Sequence, residues 1–492
     1  VIDLDAVKKK YEGLDGTELA ISESQERMAV VINKKDVEAF CKAADEENLE
    51  TAVVAVVTDN RRLVMNWRQN TIVNLSRDFL DTNGVKQHIN VVVETPAKET
   101  CYLDHIPGKV AALAPDLEKA WLENLKDLNV CSQKGLAERF DSSIGGNSVL
   151  MPFGGKNQLT PTEGMVAKLP VIGAETTTAT AMTYGYNPYL MEWSPFHGAM
   201  YAVIESVAKM VALGGRADKI RLTFQEYFES LGTDSRKWGR PFAALLGALW
   251  AQHQLEIPAI GGKDSMSGTF MDLTVPPTLT SFAVDVMKAD NALSPEFKVA
   301  GSKVYYVPMP KDKLAMPDFR KLRDTYEKVS NFIAAKKVFA ASSVRMGGTA
   351  AAITKMCLGN GIGFRFNSKP SMEDLFKADY GALILEVAPD SDIKEALAGT
   401  GCYELGTTTQ NSNIVAGEAV IGFAEAKKAY TSPLEKIFPT KVKVGEKKTA
   451  SEYIYTGGNR VTPKVGIAKP KIFIPVFPGT NCEYDTARAF SR

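Results

Sequence analysis

One plan occurs twice in this chain, once near each end, and it limits what the segments between can be. Apolar residues from Met28 to Ile32 read as a short strand. Asp36 then stands where a helix would be capped, and Val37, Phe40, Cys41 and Ala44 fall on one face of that helix. Strands are expected at 52–58 and 62–67. The same order returns late. "ALILEV" (382–387) leads to a helix opened by Asp392, with Glu395 at the capping-box spacing and Ile393, Ala396 and Leu397 turned inward. Extended segments follow near 402–408 and 413–423. A recurring strand, helix and strand pair predicts a duplicated α/β domain.

Between the copies, residues 106–295 form a different, glycine-rich domain of alternating helices and strands, entered by a helical segment at "DLEKAWLENLKDL". Its strongest helix is "HGAMYAVIESVAKMVALGG", with Met200, Ile204, Val207 and Val211 on one apolar face and Gly214 and Gly215 ending it. "KIRLTF" reads as a strand, "FAALLGALWAQHQ" as a buried helix, and "LEIPAI" as a further strand. Residues 431–470 are lysine-rich and aperiodic, which predicts a linker. "KIFIPVFPGTNCEYDTARAF" then reads as strand, tight turn and helix start, the first βα unit of a parallel α/β domain. The chain therefore reads as a piece of a longer polypeptide.

Composition excludes several function classes. At 492 residues, with 45% hydrophobic and 24% charged residues, the chain has the make-up of a soluble multidomain protein. Its 58 basic and 58 acidic side chains balance, so nothing asks for nucleic acid or an acidic partner. The six cysteines are scattered without a C-x-x-C pair and the four histidines lack metal-ligand spacing. Free thiols in a cytoplasmic setting are expected, and a transition-metal site is not. No apolar run is long enough to span a membrane. A nicotinamide-dependent dehydrogenase would need G-x-G-x-x-G after a strand, which is absent.

The chemistry-bearing stretch is "IPAIGGKDSMSGTF" (257–270). A strand feeding a glycine loop lets backbone N–H groups approach an anion, with Lys263 adding charge, Ser265 a hydroxyl and Asp264 a magnesium ligand. The Walker spacing fails, because Asp264 follows the lysine and Ile257 stands where the first glycine would be. From the residues alone, a phosphate cradle and a structural turn both fit. Glu205 could share a magnesium with Asp264, yet Lys209 one turn on makes an i,i+4 surface pair the better reading of the spacing. "ISESQERM" (21–28) concentrates polar groups suited to a polar substrate, and a solvated strand entry explains it nearly as well. Cys482 has no nucleophile elbow and no downstream histidine, so it reads as an ordinary thiol.

Five stretches, "ELAISESQERMAVVI", "EWSPFHGAMYAVIESVAKMVALGG", "RPFAALLGALWAQ", "IPAIGGKDSMSGTF" and "FPGTNCEYDTARAF", in this order, resemble the phosphoribosylformylglycinamidine synthase family in its long single-chain form. The resemblance implies α/β and α+β domains of the aminoimidazole ribonucleotide synthetase type. Residues 1–105 would be the C-terminal part of a first B-type domain, 106–295 a second A-type domain, 296–430 a second B-type domain and 431–468 a linker. Residues 469–492 would begin a flavodoxin-like class I glutamine amidotransferase domain.

The activity so implied is an ATP-dependent ligase converting formylglycinamide ribonucleotide and glutamine to the amidine, with the amide oxygen activated as an iminophosphate that ammonia displaces. Glu23, Ser24 and Gln25 would bind the ribonucleotide, and Ala167, Gly262, Lys263 and Ser265 a nucleotide. Glu205 and Asp264 would hold Mg2+. The first A-type domain, the glutaminase residues and hence the central catalysts would lie outside this chain, which by itself should be inactive. Three departures stand out. Lys209 replaces a common asparagine, Lys168 replaces an aspartate, and "SSVRMGGTA" (342–350) replaces an acidic glycine-rich run. An ammonium cannot ligate magnesium but can stand in for its charge. A scaffold with a degenerate or auxiliary nucleotide site is the rival reading.

Overall fold

The computed structural model describes residues 1–9, 12–22, 27–81, 88–140, 146–171, 173–389, 391–441, 471–477 and 480–491. It divides into two compact units, Val1–His88 with Lys447–Arg492, and Ile89–Glu446.

In the first unit a three-stranded sheet sets Arg62–Trp67 between Ile2–Asp3, parallel to it, and Asn70–Ser76, antiparallel. Asp15 and Glu18 close a capping box on the helix Gly16–Ile21. That helix presses on the sheet at Gly16, where a Cβ would come within 2.8 Å of the Ile72 and Trp67 side chains. The expected helix forms as Val37–Glu46, although Asp36 makes no side-chain capping bond. Two expected strands of its N-terminal part do not form. Residues 28–32 carry no strand pairing and leave Met28 and Val31 exposed, and 52–58 makes a single bridge, Ala55 to Ile2. Apolar composition marks a segment that can be a strand, but a ladder partner makes it one. Near the C-terminus the helix Glu483–Ser491 is present, while 471–477 forms no strand.

Two large sheets organise the second unit, beside two small two-stranded ones. The first has the order Met165–Lys168, Thr178–Gly185, Thr278–Lys288, Arg221–Tyr227, Ala259–Lys263, antiparallel except for the last pair. The helix Pro195–Ala212 packs on it. Ser194 caps its start, Pro195 suits the first turn, and Gly214 at φ +95 turns the chain away. The sequence predicted one apolar stripe, but every residue from Gly198 to Ala212 is buried, because sheet and neighbouring helix cover opposite sides. The opposite correction applies to Ser235–Leu255. Its part 242–254 was expected to be buried, yet Phe242, Leu245, Leu246, Leu249 and Trp250 are 40–50% exposed, and its small residues Ala244, Gly247, Ala248 and Ala251 face inward.

The second sheet has seven strands in the order Val338–Ser343, Leu383–Val387, Lys303–Val307, Tyr403–Thr409, Gly363–Phe366, Asn413–Ala416, Ala419–Gly422. The late copy of the repeated plan is thus present as strands, and Asp392 accepts from the Glu395 amide, but its helix Ile393–Ala396 is a single turn. One hydrophobic core runs through both sheets, from Val166 and Val207 to Ile353 and Leu385. Polar bonds cross the same junction: Trp121 Nε1 donates to Thr354 Oγ1 at 2.9 Å, and Asn124 Nδ2 to the Gly347 carbonyl at 2.9 Å.

Candidate functional site

Strand directions gather part of the expected site. Thr178–Gly185 and Arg221–Tyr227 both run antiparallel to Thr278–Lys288, and Ala259–Lys263 runs parallel to Arg221–Tyr227. Three strands therefore end on one side of the sheet, at Gly185, Tyr227 and Lys263. Helix Pro195–Ala212 passes that end closely, because Gly185 has no side chain. A Cβ there would stand 2.1 Å from the Ala202 carbonyl oxygen and 2.9 Å from Glu205 Cβ.

Glu205 sits at this crossing and is 4% exposed. Lys209 Nζ donates to Glu205 Oε1 at 2.7 Å and to the Tyr184 carbonyl at 2.6 Å, and lies 4.1 Å from the centroid of the Tyr184 ring. The Tyr186 amide donates to the other carboxylate oxygen, Oε2, at 3.0 Å. The pair expected at the surface is buried, since strand and helix close over it. Both of Glu205's oxygens are engaged by nitrogen donors. The residues present do not fit Mg2+ at Glu205, because neither carboxylate oxygen is open to it and the neighbouring Lys209 ammonium cannot ligate a cation.

The glycine loop is bound to the sheet edge. Gly262 belongs to the strand Ala259–Lys263, and a Cβ there would meet the Phe224 carbonyl oxygen at 2.5 Å. Its neighbour Gly261 faces open space. The Ser265 amide donates to the Glu226 carbonyl, and the Gly268 amide to that of Phe228, at 3.2 and 2.9 Å. Those two N–H groups extend the sheet and are not free for an anion. Lys263 is exposed, its Nζ donating to the Asp264 carbonyl at 3.2 Å, and Ser265 Oγ lies 2.8 Å from Ser267 Oγ. Asp264 is exposed. Ala167 lies on the sheet's opposite edge strand, paired with Thr180, and the Lys168 amide donates to the Asn147 carbonyl at 2.9 Å. Glu23, Ser24 and Gln25 lie outside the described residues.

Three groups were not anticipated from sequence. Glu226 is 5% exposed and its Oε1 has no partner. Burial, and then Asp264, push its carboxyl up to about 7. Glu163, 3% exposed, receives Ser342 Oγ at 2.8 Å, the Ser343 amide at 3.0 Å and Ser343 Oγ at 2.7 Å, with Arg345 Nη2 at 3.9 Å. Burial alone would raise this carboxyl, but Arg345, Lys209 and the serine hydroxyls outweigh it and hold it below the ordinary value. Lys355 faces the same cluster, and burial followed by Arg345 pushes its amine down to about 7. The departing "SSVRMGGTA" run was the visible signal for part of this cluster. Glu163, in an unremarkable "TPTEG", gave none.

The model of the AIR synthase related protein C-terminal domain matches residues 1–68. Phosphoribosylformylglycinamidine synthase subunit PurL of Thermoplasma acidophilum is 24% identical over 427 residues, 80% of this chain and 52% of that protein. PurL of Picrophilus torridus is 25% identical over 470 residues, 88% of this chain and 59% of the relative. The chain spans about half the length of the curated relatives it matches. Among solved structures, Thermotoga maritima PurL complexed with AMPPCP superposes with a TM-score of 0.55 at 19% identity, covering 83% of this chain and 60% of that one. The same protein complexed with FGAR gives 0.55 at 19%, covering 83% and 57%. The chain is thus similar to PurL subunits of phosphoribosylformylglycinamidine synthase and shares the fold of Thermotoga maritima PurL.

Proposed function

We propose that the chain is part of an ATP-dependent C–N ligase of purine biosynthesis that makes formylglycinamidine ribonucleotide, ADP, phosphate and glutamate from formylglycinamide ribonucleotide, ATP and glutamine, in the cytoplasm. The carrying observation is collinear similarity to PurL subunits over 80–88% of the chain. ATP would pass its terminal phosphoryl group to the amide oxygen. Ammonia would then form the new C–N bond as the C–O bond breaks and phosphate leaves. Such a reaction needs its reacting groups clamped and shielded from water by more than one domain. In this reading residues 1–105 belong to one B-type domain, 106–295 and 296–430 to an A-type and B-type pair, and 469–492 to an amidotransferase domain. Glu23, Ser24 and Gln25 contact the ribonucleotide, and Gly262, Lys263 and Ser265 a nucleotide, with Ala167 on the opposite edge strand left out of that contact.

Differential scanning fluorimetry of the purified chain with AMPPCP and with formylglycinamide ribonucleotide tests the reading. Each ligand should raise the melting temperature, and Ser24→Ala with Gln25→Ala should abolish only the ribonucleotide's effect. A chain indifferent to both ligands would refute it. The chain alone, with ammonia in place of glutamine, should release no ADP above background.

A second reading, a non-catalytic scaffold, is favoured by the junction itself. The Ser342 and Ser343 hydroxyls and the Ser343 amide all bind Glu163. Retention of nucleotide binding without ribonucleotide binding would select it.

A further inference from the structure

Of the buried acids near the nucleotide end of the first sheet, Glu226 has no partner for its Oε1, but Glu205 and Glu163 each already have a cation. Lys209 is 1% exposed and bonds Glu205 at 2.7 Å, while Arg345 reaches Glu163 at 3.9 Å and also acts on Glu205. Two carboxylates and two fixed cations sum to zero, and the Lys355 amine, when protonated, adds positive charge to the cluster. A divalent ion approaching Glu205 meets a carboxylate whose charge its own lysine already balances. It would also have to expel a buried ammonium whose hydrogen bonds to Glu205 and the Tyr184 carbonyl are short and direct. The placement follows from the chain itself. An i,i+4 pair on a helix meets naturally, and the missing side chain at Gly185 lets the strand end seal it from water.

We propose that Lys209 is a built-in cation serving Glu205 in place of a divalent metal, so that a nucleotide bound at this end of the sheet is held independently of magnesium. The proposal rests on the nucleotide-site reading above, and its metal half stands by itself.

Mn2+ is the probe, followed as loss of its free signal in electron paramagnetic resonance titrations of the nucleotide-free chain. Glu205→Gln with Lys209→Met removes both charges together, which spares the fold an unpaired buried ion. Wild type and this double variant should bind equal numbers of Mn2+ ions. One ion fewer in the double variant would overturn the proposal. Separately, AMPPCP binding by calorimetry should differ by less than about threefold between excess EDTA and excess Mg2+. A loss of affinity of about tenfold or more in EDTA, roughly 1.4 kcal/mol, would overturn the magnesium-independent part. Absence of AMPPCP binding in both buffers would instead remove the nucleotide-site reading, while the Mn2+ comparison still decides what Glu205 holds.

Discussion

Replacing Glu163 with alanine should loosen the junction between the two sheets of the second unit more than any other single truncation there. The side chain receives two bonds from Ser343, one of them from its amide, and one from Ser342, with Arg345 beyond. The serine hydroxyls can rotate to other acceptors, and Ser342 Oγ already has the Ser343 carbonyl at 3.4 Å. The Ser343 amide cannot rotate. An orphaned buried N–H costs about 1–3 kcal/mol, and stripping a buried ion pair of one partner costs about 3–5 kcal/mol in total. At about 2 °C per kcal/mol for a large domain, the melting temperature should fall by roughly 6–10 °C at pH 7. Glu163→Gln keeps an acceptor for the amide and should lose roughly half as much. Because this carboxyl is held below its ordinary value, its contribution is present above the unfolded-state pKa and is lost as pH falls through the folded one. The gap between wild type and Glu163→Ala should therefore shrink in acid. An alanine variant within about 1 kcal/mol of wild type at pH 7 would refute the account.

Glu226 titrates the other way. Its pKa is raised to about 7, so its stabilising protonated form is complete below the unfolded-state value and is lost as pH rises through 7. Glu226→Gln should raise the melting temperature at pH 8 and leave it unchanged at pH 4. A gain of equal size at both would contradict the assignment. Gly185→Ala forces a Cβ to 2.1 Å from a backbone oxygen and should cost about 3 kcal/mol in urea denaturation, while Gly261→Ala, facing open space, should cost less than about 1. Leu249→Lys should change stability by less than about 0.5 kcal/mol, because that side chain is 48% exposed, and a large loss would mean the helix Ser235–Leu255 is covered there.

Local pattern and tertiary context divided the labour visibly. Periodicity and end signals located Pro195–Ala212, Leu117–Lys126 and Val37–Glu46, since side-chain spacing, capping residues and terminal glycines act within a few turns. The same signals misjudged which faces are covered. Met28–Ile32 and 52–58 lacked partners to become strands, and Ser235–Leu255 packs its small residues inward and leaves large ones out.

The site divides along the same line. Sequence alone determined that Glu205 and Lys209 share a helix face and that the ordered motifs resemble one synthetase family, whereas Gly261 and Gly262, read as the start of a loop, are strand residues because Arg221–Tyr227 pairs with them. Whether that ion pair would be wet or dry was decided by Gly185 at the end of a strand that packs on it. That Glu163 would meet Ser343 was decided by a contact 180 residues apart. Burial and long-range partners set the charge, hydration and metal preference of a carboxylate, and they come from the whole packed chain rather than from its neighbours in sequence.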